Sequence, residues 1–180
     1  MSLEIVIGPM FSGKSTYALS YIRRQRAIGR SVVVIKPDID NRYSSDSVLV
    51  THDREQVQCI MWNTRDAIGP TELMKKADCV VLEEAQFFTG LKTFVPWFLR
   101  VYKKNILVVG LDGDAKQNIF GEILDCIPWA TSVTKLNALC SQCNDGTLAP
   151  YSKKIVESGD QVDVGGADKY EAVCLKHLLE

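Results

Sequence analysis

Residues 8–15 have the sequence Gly8-Pro9-Met10-Phe11-Ser12-Gly13-Lys14-Ser15, which matches the pattern G-x-x-x-x-G-K-[ST] of loops that bind nucleotide phosphates. Glycine at positions 8 and 13 permits a backbone turn with positive φ, so that successive N–H groups point at phosphate oxygens. Lys14 adds a positive charge for the outer phosphates, and the hydroxyl of Ser15 is a ligand for Mg²⁺. The stretch is therefore predicted to bind a nucleoside triphosphate.

The segments on both sides of this loop support that interpretation. Residues 3–7 are mostly apolar and predict a strand that leads into the loop, while residues 16–22 have helical spacing with Ala18 and Ile22 on one face. The positive end of the helix dipole faces the same phosphates. The alternative is a glycine-bounded turn that binds nothing, and the order strand, loop, helix argues against it.

The rest of the chain continues this alternation of strands and helices. Strands are predicted at residues 31–36, 57–62, 79–82 and 105–110, and helices at residues 64–76, beginning near Pro70, and at residues 91–102. Short, wholly apolar strands between helices are typical of a parallel sheet that is covered on both faces. The predicted fold class is therefore α/β, a P-loop NTPase core with a mostly parallel sheet.

The composition changes near residue 138. Residues 1–138 are predicted to form the ATP-binding α/β domain, and residues 139–180, which are richer in Gly, Lys, Asp and Cys, a smaller second domain. A short alternating strand is expected at residues 161–164 within it.

Composition and charge exclude several classes of protein. The chain of 180 residues is 46% hydrophobic and 24% charged, with a formal net charge of −1, whereas a nucleic-acid-binding surface favours a basic excess. No apolar run approaches the roughly 20 residues of a membrane span. The N-terminus lacks the basic and apolar segments of a secretory signal, so none is expected.

Two acidic residues follow the strand predicted at residues 79–82. A carboxylate at such a strand end holds Mg²⁺ in P-loop proteins, directly or through water, and the parallel sheet places it near the first loop. Glu83 is therefore the predicted metal ligand, and Glu84 the predicted acceptor of a proton from an attacking hydroxyl. A solvated strand end with incidental charge is the alternative.

Four residues near the C-terminus have the spacing of zinc ligands. Cys140-x-x-Cys143 and Cys174-x-x-His177 supply three thiolates and an imidazole, which form a closed tetrahedral set for a structural Zn²⁺. A metal in a module of about 40 residues replaces part of a hydrophobic core. The remaining cysteines, Cys59, Cys79 and Cys126, lie in apolar surroundings and are predicted to be core residues.

Taken together, these features resemble the thymidine kinases of the cytosolic and poxviral type over nearly the whole chain. The segments that carry the resemblance are Gly8 to Thr16; Asp40-Asn41-Arg42-Tyr43-Ser44-Ser45 followed by Thr51-His52-Asp53; Glu83-Glu84-Ala85-Gln86-Phe87-Phe88; Leu111-Asp112-Gly113; the two zinc pairs; and Gly165-Gly166-Ala167-Asp168-Lys169-Tyr170. Their order and spacing make the resemblance far more specific than a P-loop alone.

The resemblance implies transfer of phosphate from Mg·ATP to the 5′-hydroxyl of deoxythymidine, and possible use of deoxyuridine. The catalytic residues it implies are Glu84 as general base, Arg42 as stabiliser of the transferred phosphoryl group, and Lys14. The residues it implies for ATP and Mg²⁺ are Gly8, Pro9, Met10, Phe11, Ser12, Gly13, Lys14, Ser15, Asp40, Asn41, Arg42, Glu83 and Gln86, with Ser15 and Glu83 on the metal. The residues it implies for the nucleoside are Met10, Phe87, Leu111, Ala115, Phe120, Ser152, Gln161, Val162, Asp163, Val164, Gly165 and Tyr170.

Further properties follow from the same resemblance. It implies a homotetramer in the cytoplasm, or in the host cytoplasm for a viral protein, inhibited by dTTP and without nucleic-acid or membrane partners. The C-terminal zinc domain would carry a lasso loop that covers the nucleoside.

Several positions depart from the family pattern. Glu83 stands in place of Asp, and its longer side chain is expected to reach Mg²⁺ through water. Ala115 replaces an aromatic residue that packs on the base, which removes a stacking surface. Gln161 and Asp163 are polar where the family is usually apolar.

Two other functions are compatible with part of the sequence. A zinc-containing, nucleic-acid-stimulated ATPase would need the P-loop and the zinc pairs, but the charge balance speaks against it. A nucleotide sensor with weak kinase activity would fit the departures at Glu83 and Ala115.

Overall fold

The computed structural model describes residues 1–39, 48–50, 56–156 and 163–180, and these ranges contain twelve strands and four α-helices. The strands are β1 (Ser2–Ile7), β2 (Val32–Pro37), β3 (Val48–Val50), β4 (Gln56–Gln58), β5 (Ile60–Trp62), β6 (Cys79–Leu82), β7 (Asn105–Gly110), β8 (Ser132–Lys135), β9 (Ala138–Leu139), β10 (Leu148–Ala149), β11 (Tyr151–Lys154) and β12 (Tyr170–Val173). The helices are α1 (Lys14–Ala27), α2 (Glu72–Lys76), α3 (Leu91–Tyr102) and α4 (Leu175–Leu179).

The central sheet has six strands in the order β5-β2-β6-β7-β1-β8, and every neighbouring pair is parallel. This confirms the predicted α/β fold class. The register pairs Ile5 with Val108, and Val34 with Val81. Because all strands run in one direction, the carboxyl ends of β1 and β6 lie at the same edge of the sheet. The loop after β1 and the acidic pair after β6 are therefore neighbours.

Apolar side chains cover both faces of this sheet. On one face, Ala18 and Ile22 of α1 pack against a cluster that includes Val34 and Val81. On the other face, the apolar side of α3, with Leu91 and Phe98, belongs to a second cluster. The β-branched and aliphatic strand residues are buried because both faces are covered, as the continuous apolar runs predict.

Two predicted elements are shorter in the structure. The expected strand at residues 57–62 is divided: β4 pairs antiparallel with β3, whereas β5 joins the central sheet, with buried Cys59 between them. The helix expected at residues 64–76 is limited to α2. Thr71, which follows Pro70, has extended backbone angles, and its side chain accepts a hydrogen bond from the Met74 N–H, which fixes the start of the helix there.

The prediction of a short strand at residues 161–164 is wrong for the two of these residues that the structure describes. Asp163 and Val164 are in irregular structure, because β11 pairs directly with β12 and the carbonyl of Asp163 instead accepts a hydrogen bond from the Tyr170 hydroxyl. Gln161 and Val162 lie outside the described residues.

The C-terminal residues have a small core of their own. The pairs β9–β10 and β11–β12 are antiparallel, and a cluster that includes Ala149, Ala172 and Val173 packs between them. Cys140 and Cys174 belong to this cluster. Among the helices in the described ranges, none is long and apolar enough to cross a membrane.

Candidate active site and metal centre

The loop between β1 and α1 has the backbone conformation of a phosphate-binding loop. Gly8 has φ 150°, Gly13 has φ 83°, and Phe11 also has a positive φ, of 64°. A Cβ at Gly8 would lie 2.5 Å from the carbonyl oxygen of Leu136, so this position has no room for a side chain. Gly13 caps α1, which presents the N–H groups of its first turn to the loop.

The side chains of the loop meet the acidic end of β6. The Lys14 Nζ donates to the carbonyl oxygen of Pro9 at 2.6 Å, so the lysine folds back over the loop. The Ser15 Oγ donates to Glu83 Oε1 at 2.6 Å. The two residues that the sequence assigns to a metal are therefore in direct contact across the edge of the sheet.

The carboxylate of Glu83 is buried and only partly hydrogen-bonded. It is only 2% exposed, and its Oε2 is a buried oxygen without a hydrogen-bond partner among the described residues. Burial, together with the negative charge of Glu84, raises the pKa of Glu83 to about 7. Since a divalent cation would compensate this buried charge and engage the second oxygen, the residues present fit a metal here.

Glu84 adopts an unusual backbone conformation. Its φ is 52° and its ψ is 44°, the left-handed region that glutamate rarely adopts. The Gln86 Nε2 donates to Glu84 Oε2 at 2.6 Å, and Gln86 Oε1 accepts from the backbone N–H of Leu111 at 3.0 Å. The carboxylate is thus held by an amide that is itself bound to the chain after β7.

Two glycines make room for Gln86. A Cβ at Gly110 would collide with the Gln86 amide oxygen and lie 2.5 Å from Cδ1 of Ile123. A Cβ at Gly121, where φ is 67°, would collide with the Gln86 carbonyl oxygen and lie 2.8 Å from its Cα. The packing around Gln86 therefore depends on the absence of side chains at both positions.

Gly121→Ala is expected to destabilise the protein by roughly 2–4 kcal/mol, because alanine adds left-handed strain and overpacks Gln86. Chemical denaturation would measure the change. The matched control is Gly146→Ala, where φ is 91° and nothing lies within 4 Å of an added Cβ. That variant should lose only the strain, about 1–2 kcal/mol. Equal losses in the two variants would contradict the packing argument.

A pocket opens beside Gln86 and brings together all of the predicted nucleoside residues that the structure describes. Its lining consists of Met10, Gln86, Phe87, Leu111, Gly113, Asp114, Ala115, Phe120, Ser152, Asp163, Val164, Gly165 and Tyr170. The rings of Phe87 and Phe120 meet edge to face at 5.4 Å. The loop after β1, the turn after β6 and the segment before β12 therefore form one cavity.

Sequence reasoning missed two residues of this lining, Gly113 and Asp114. The carboxylate of Asp114 accepts from the backbone N–H groups of Lys116 and Asn118, at 2.8 and 2.9 Å, and so organises the turn that carries Ala115. The spacing Asp-x-Lys-x-Asn is the signal that indicates such a turn.

Other predicted site residues are not described by the structure. Asp40, Asn41 and Arg42, assigned to ATP and the phosphoryl group, and Gln161 and Val162, assigned to the nucleoside, lie outside the described residues.

A hydrogen bond joins the loop after β1 to the C-terminal strands. The backbone N–H of Met10 donates to Ser152 Oγ at 2.9 Å, and Ser152, on β11, is 6% exposed. The pocket wall and the phosphate loop are thereby connected.

The segment before β12 is closed by an acidic residue between two lysines. Asp163 Oδ1 lies 2.6 Å from the Lys169 Nζ, and Oδ2 lies 2.6 Å from the Lys154 Nζ. The Tyr170 hydroxyl donates to the carbonyl of Asp163 at 2.6 Å. We call Lys154, Asp163, Lys169 and Tyr170 the lid clasp. It holds the wall of the pocket formed by Asp163, Val164 and Gly165.

The four predicted zinc ligands form one cluster. Their candidate ligand atoms all lie within 4.8 Å of one another. The His177 Nδ1 lies 3.4 Å from Sγ of Cys140, 3.4 Å from Sγ of Cys143 and 3.5 Å from Sγ of Cys174, and the last two sulfurs are 3.7 Å apart.

These separations fit one tetrahedral metal ion. Zinc bond lengths of about 2.3 Å to sulfur and about 2.0–2.1 Å to nitrogen give ligand separations of about 3.8 Å between sulfurs and about 3.6 Å between sulfur and nitrogen. The donor set and its geometry therefore match a closed zinc site, with three thiolates and one imidazole.

Comparisons with known proteins show the family to which the chain is similar. Residues 1–178 match the sequence profile of the family described as thymidine kinase. A rice protein named thymidine kinase is 40% identical over 99% of this chain, which spans 66% of the rice protein. The thymidine kinase of fowlpox virus is 32% identical over 97% of this chain and 95% of its own length.

A hamster protein named cytosolic thymidine kinase is 36% identical over 96% of this chain and 70% of its own length. Because the family profile covers nearly the whole chain and the phosphate loop, the acidic pair and the metal cluster all fall within it, the chain belongs to the thymidine kinase family.

Proposed function

We propose that this protein phosphorylates the 5′-hydroxyl of thymidine with ATP, giving dTMP, and that it accepts deoxyuridine as a second substrate. The observation that carries the proposal is the juxtaposition of a phosphate-binding loop, a carboxylate at Glu84 and a pocket linked to that carboxylate through Gln86. Membership of the thymidine kinase family supports it.

The donor half of the reaction uses the loop after β1. Its backbone N–H groups would bind the phosphate oxygens, and Lys14 would exchange its contact with Pro9 for the outer phosphates. Ser15 and Glu83 would hold Mg²⁺, which neutralises charge on the phosphate oxygens when bound. Arg42 is assigned to the transferred phosphoryl group by resemblance alone.

The acceptor half uses the pocket. The base would lie among Phe87, Phe120 and Tyr170, and the sugar would place its 5′-hydroxyl toward Glu84. The carboxylate of Glu84 would take the hydroxyl proton as the oxygen bonds to the γ-phosphorus and ADP leaves. The lid clasp would keep water away from the γ-phosphate and so favour transfer over hydrolysis.

The metal cluster would have a structural role and no catalytic one. Zinc bound by the four C-terminal ligands has no open coordination position for water or substrate. It would therefore hold β11, β12 and the residues of the lid clasp in place. We accordingly treat residues 139–180 as a zinc domain that covers the nucleoside.

The test is phosphoryl transfer from labelled ATP to a panel of nucleosides by zinc-loaded protein. Turnover of thymidine is expected. The ratio of thymidine turnover to deoxyuridine turnover would measure the selectivity for thymidine of a pocket that has Ala115 in place of an aromatic residue. No transfer to either nucleoside would refute the proposal. ATP hydrolysis stimulated by DNA but by no nucleoside would favour the nucleic-acid-stimulated ATPase, which the family relationship does not favour.

Asp163→Asn is expected to raise the KM for thymidine at least about threefold with little change in kcat, because partly exposed ion pairs of the lid clasp are weakened. Steady-state kinetics at low and high salt would measure the effect. The difference in KM between the variant and the wild type should shrink as salt rises, because salt screens the wild-type ion pairs.

The control for that variant is Asp168→Asn, which removes the same charge from the same segment while leaving an oxygen to accept the Gly166 N–H. Its KM should stay within twofold of the wild type. An Asp163→Asn enzyme with unchanged KM at low salt would show that the lid clasp does not contribute to nucleoside binding.

We further propose a homotetramer that is inhibited by dTTP and acts in the cytoplasm, without nucleic-acid or membrane partners. Family membership supports these properties, and the word cytosolic belongs to the name of the hamster relative. Size-exclusion chromatography with light scattering, and inhibition of thymidine turnover by dTTP, would test the first two.

A further inference from the structure

We propose that Gln86 is a positioning residue for the catalytic base: its side-chain amide holds the carboxylate of Glu84 in the orientation needed to receive the proton of the acceptor hydroxyl. The inference rests on the proposed function, because it takes Glu84 as the base. It differs from the sequence-based assignment of Gln86 to ATP.

The orientation of the amide is determined by its two partners. The backbone N–H of Leu111 can only donate, so the atom that it contacts at 3.0 Å must be the amide oxygen. The Nε2 group then points in the other direction and donates to Glu84 Oε2 at 2.6 Å. The amide is therefore a bridge between the chain after β7 and the carboxylate.

Packing prevents the bridge from moving. Gln86 is 4% exposed, and Gly110 and Gly121 approach it so closely that a Cβ at either position would collide with it. Ile123 closes the same space, since its Cδ1 would lie 2.5 Å from a Cβ at Gly110. Gly121 therefore confines the main chain of Gln86 and Gly110 confines its amide oxygen, which is the confinement expected of a residue that orients another.

Glu84 requires such a bridge because its own backbone does not favour the observed conformation. Its φ is 52° and its ψ is 44°, in the left-handed region that glutamate rarely adopts. A neutral donor at 2.6 Å holds the Glu84 carboxylate without placing a cation beside it.

Two substitutions separate this role from a purely structural one. Gln86→Glu keeps an oxygen to accept the Leu111 N–H but cannot donate to Glu84 when ionised, whereas Gln86→Met keeps the approximate shape and loses both bonds. We expect both to lower kcat for thymidine phosphorylation at least about tenfold, with both KM values within about threefold. Gln25→Met removes a side-chain amide on α1, outside the pocket, and should leave kcat unchanged.

The decisive experiment is a double-mutant cycle with Glu84→Gln, measured as single-turnover phosphoryl transfer. Because Gln86 acts through Glu84, adding Gln86→Met to Glu84→Gln should lower the residual rate less than about twofold. Thermal melting of each variant reports whether it is folded. If a Gln86 variant does not fold, Gln86→Asn takes its place in the cycle.

The outcomes distinguish this inference from the proposed function. An active wild type together with a Gln86→Glu variant of normal kcat would overturn the positioning role alone. So would a tenfold loss on adding Gln86→Met to Glu84→Gln, because Gln86 would then act independently of Glu84. A wild type that phosphorylates neither thymidine nor deoxyuridine would overturn both.

Discussion

Glu84→Gln is expected to lower kcat for thymidine phosphorylation at least about 100-fold, while the affinity for ATP stays within a few-fold of the wild type. The amide has nearly the shape of the carboxylate and cannot accept the proton of the 5′-hydroxyl. The residue lies next to Glu83 but outside the loop that would bind phosphates, so ATP binding should survive. Steady-state kinetics and equilibrium binding of ATP measure the two quantities separately.

The control for this substitution is Glu122→Gln, which removes the same charge from a carboxylate that pairs with Lys92 away from the pocket. Its kcat should stay within twofold of the wild type. If Glu84→Gln turned over at a near-normal rate, Glu84 would not be the base, and another acceptor would be required for the hydroxyl proton.

Cys174→Ser is expected to abolish zinc binding and to unfold the C-terminal strands before the central sheet. Cys174 is both a candidate ligand and a member of the small core with Ala172 and Val173, so its loss affects both. Zinc contributes on the order of 10 kcal/mol to the folding of small zinc modules, which a core of this size does not replace. Thymidine kinase activity should be lost as well, because Ser152, Asp163 and Tyr170 line the pocket.

Metal analysis and hydrogen exchange would test that expectation. The wild type should contain about one zinc per chain, and the variant none. Backbone amides of β11 and β12 should exchange faster in the variant, while those of β6 and β7 remain protected. The control is Cys59→Ala, at a buried thiol outside the cluster, which should keep its zinc. A Cys174→Ser protein without metal but with normal activity would contradict the structural role.

Five of the six strands of the central sheet were predicted from apolar runs. Runs such as Cys79–Leu82 are buried on both faces, and their short length and β-branched residues favour a strand over a helix. The sixth strand, β8, was not predicted, because Ser132–Lys135 has no apolar run and is mostly exposed. The cluster of Cys140, Cys143, Cys174 and His177 was predictable for a similar reason, since the two C-x-x-[CH] pairs have the spacing of four ligands that share one tetrahedral ion. In both cases local sequence determines a long-range arrangement.

Other features depend on contacts that local sequence does not specify. The division of residues 57–62 between β4 and β5 follows from pairing with two different partners, β3 and β2. The bond between Glu84 and Gln86 depends on the close approach of Gly110 and Gly121 to Gln86, and both glycines are distant from it in the chain. The lid clasp likewise needs Lys154 and Asp163 to be brought together by the β11–β12 pairing.

The hydrogen bond from the Met10 N–H to the Ser152 hydroxyl has a thermodynamic consequence. It connects the loop that would hold phosphates to the strand whose Ser152 lines the pocket, so a shift of the loop on phosphate binding would bear on the pocket wall. Such coupling is reciprocal: the factor by which ATP changes the affinity for thymidine must equal the factor by which thymidine changes the affinity for ATP. The serine hydroxyl is thus one physical link through which coupling between the two substrates would pass.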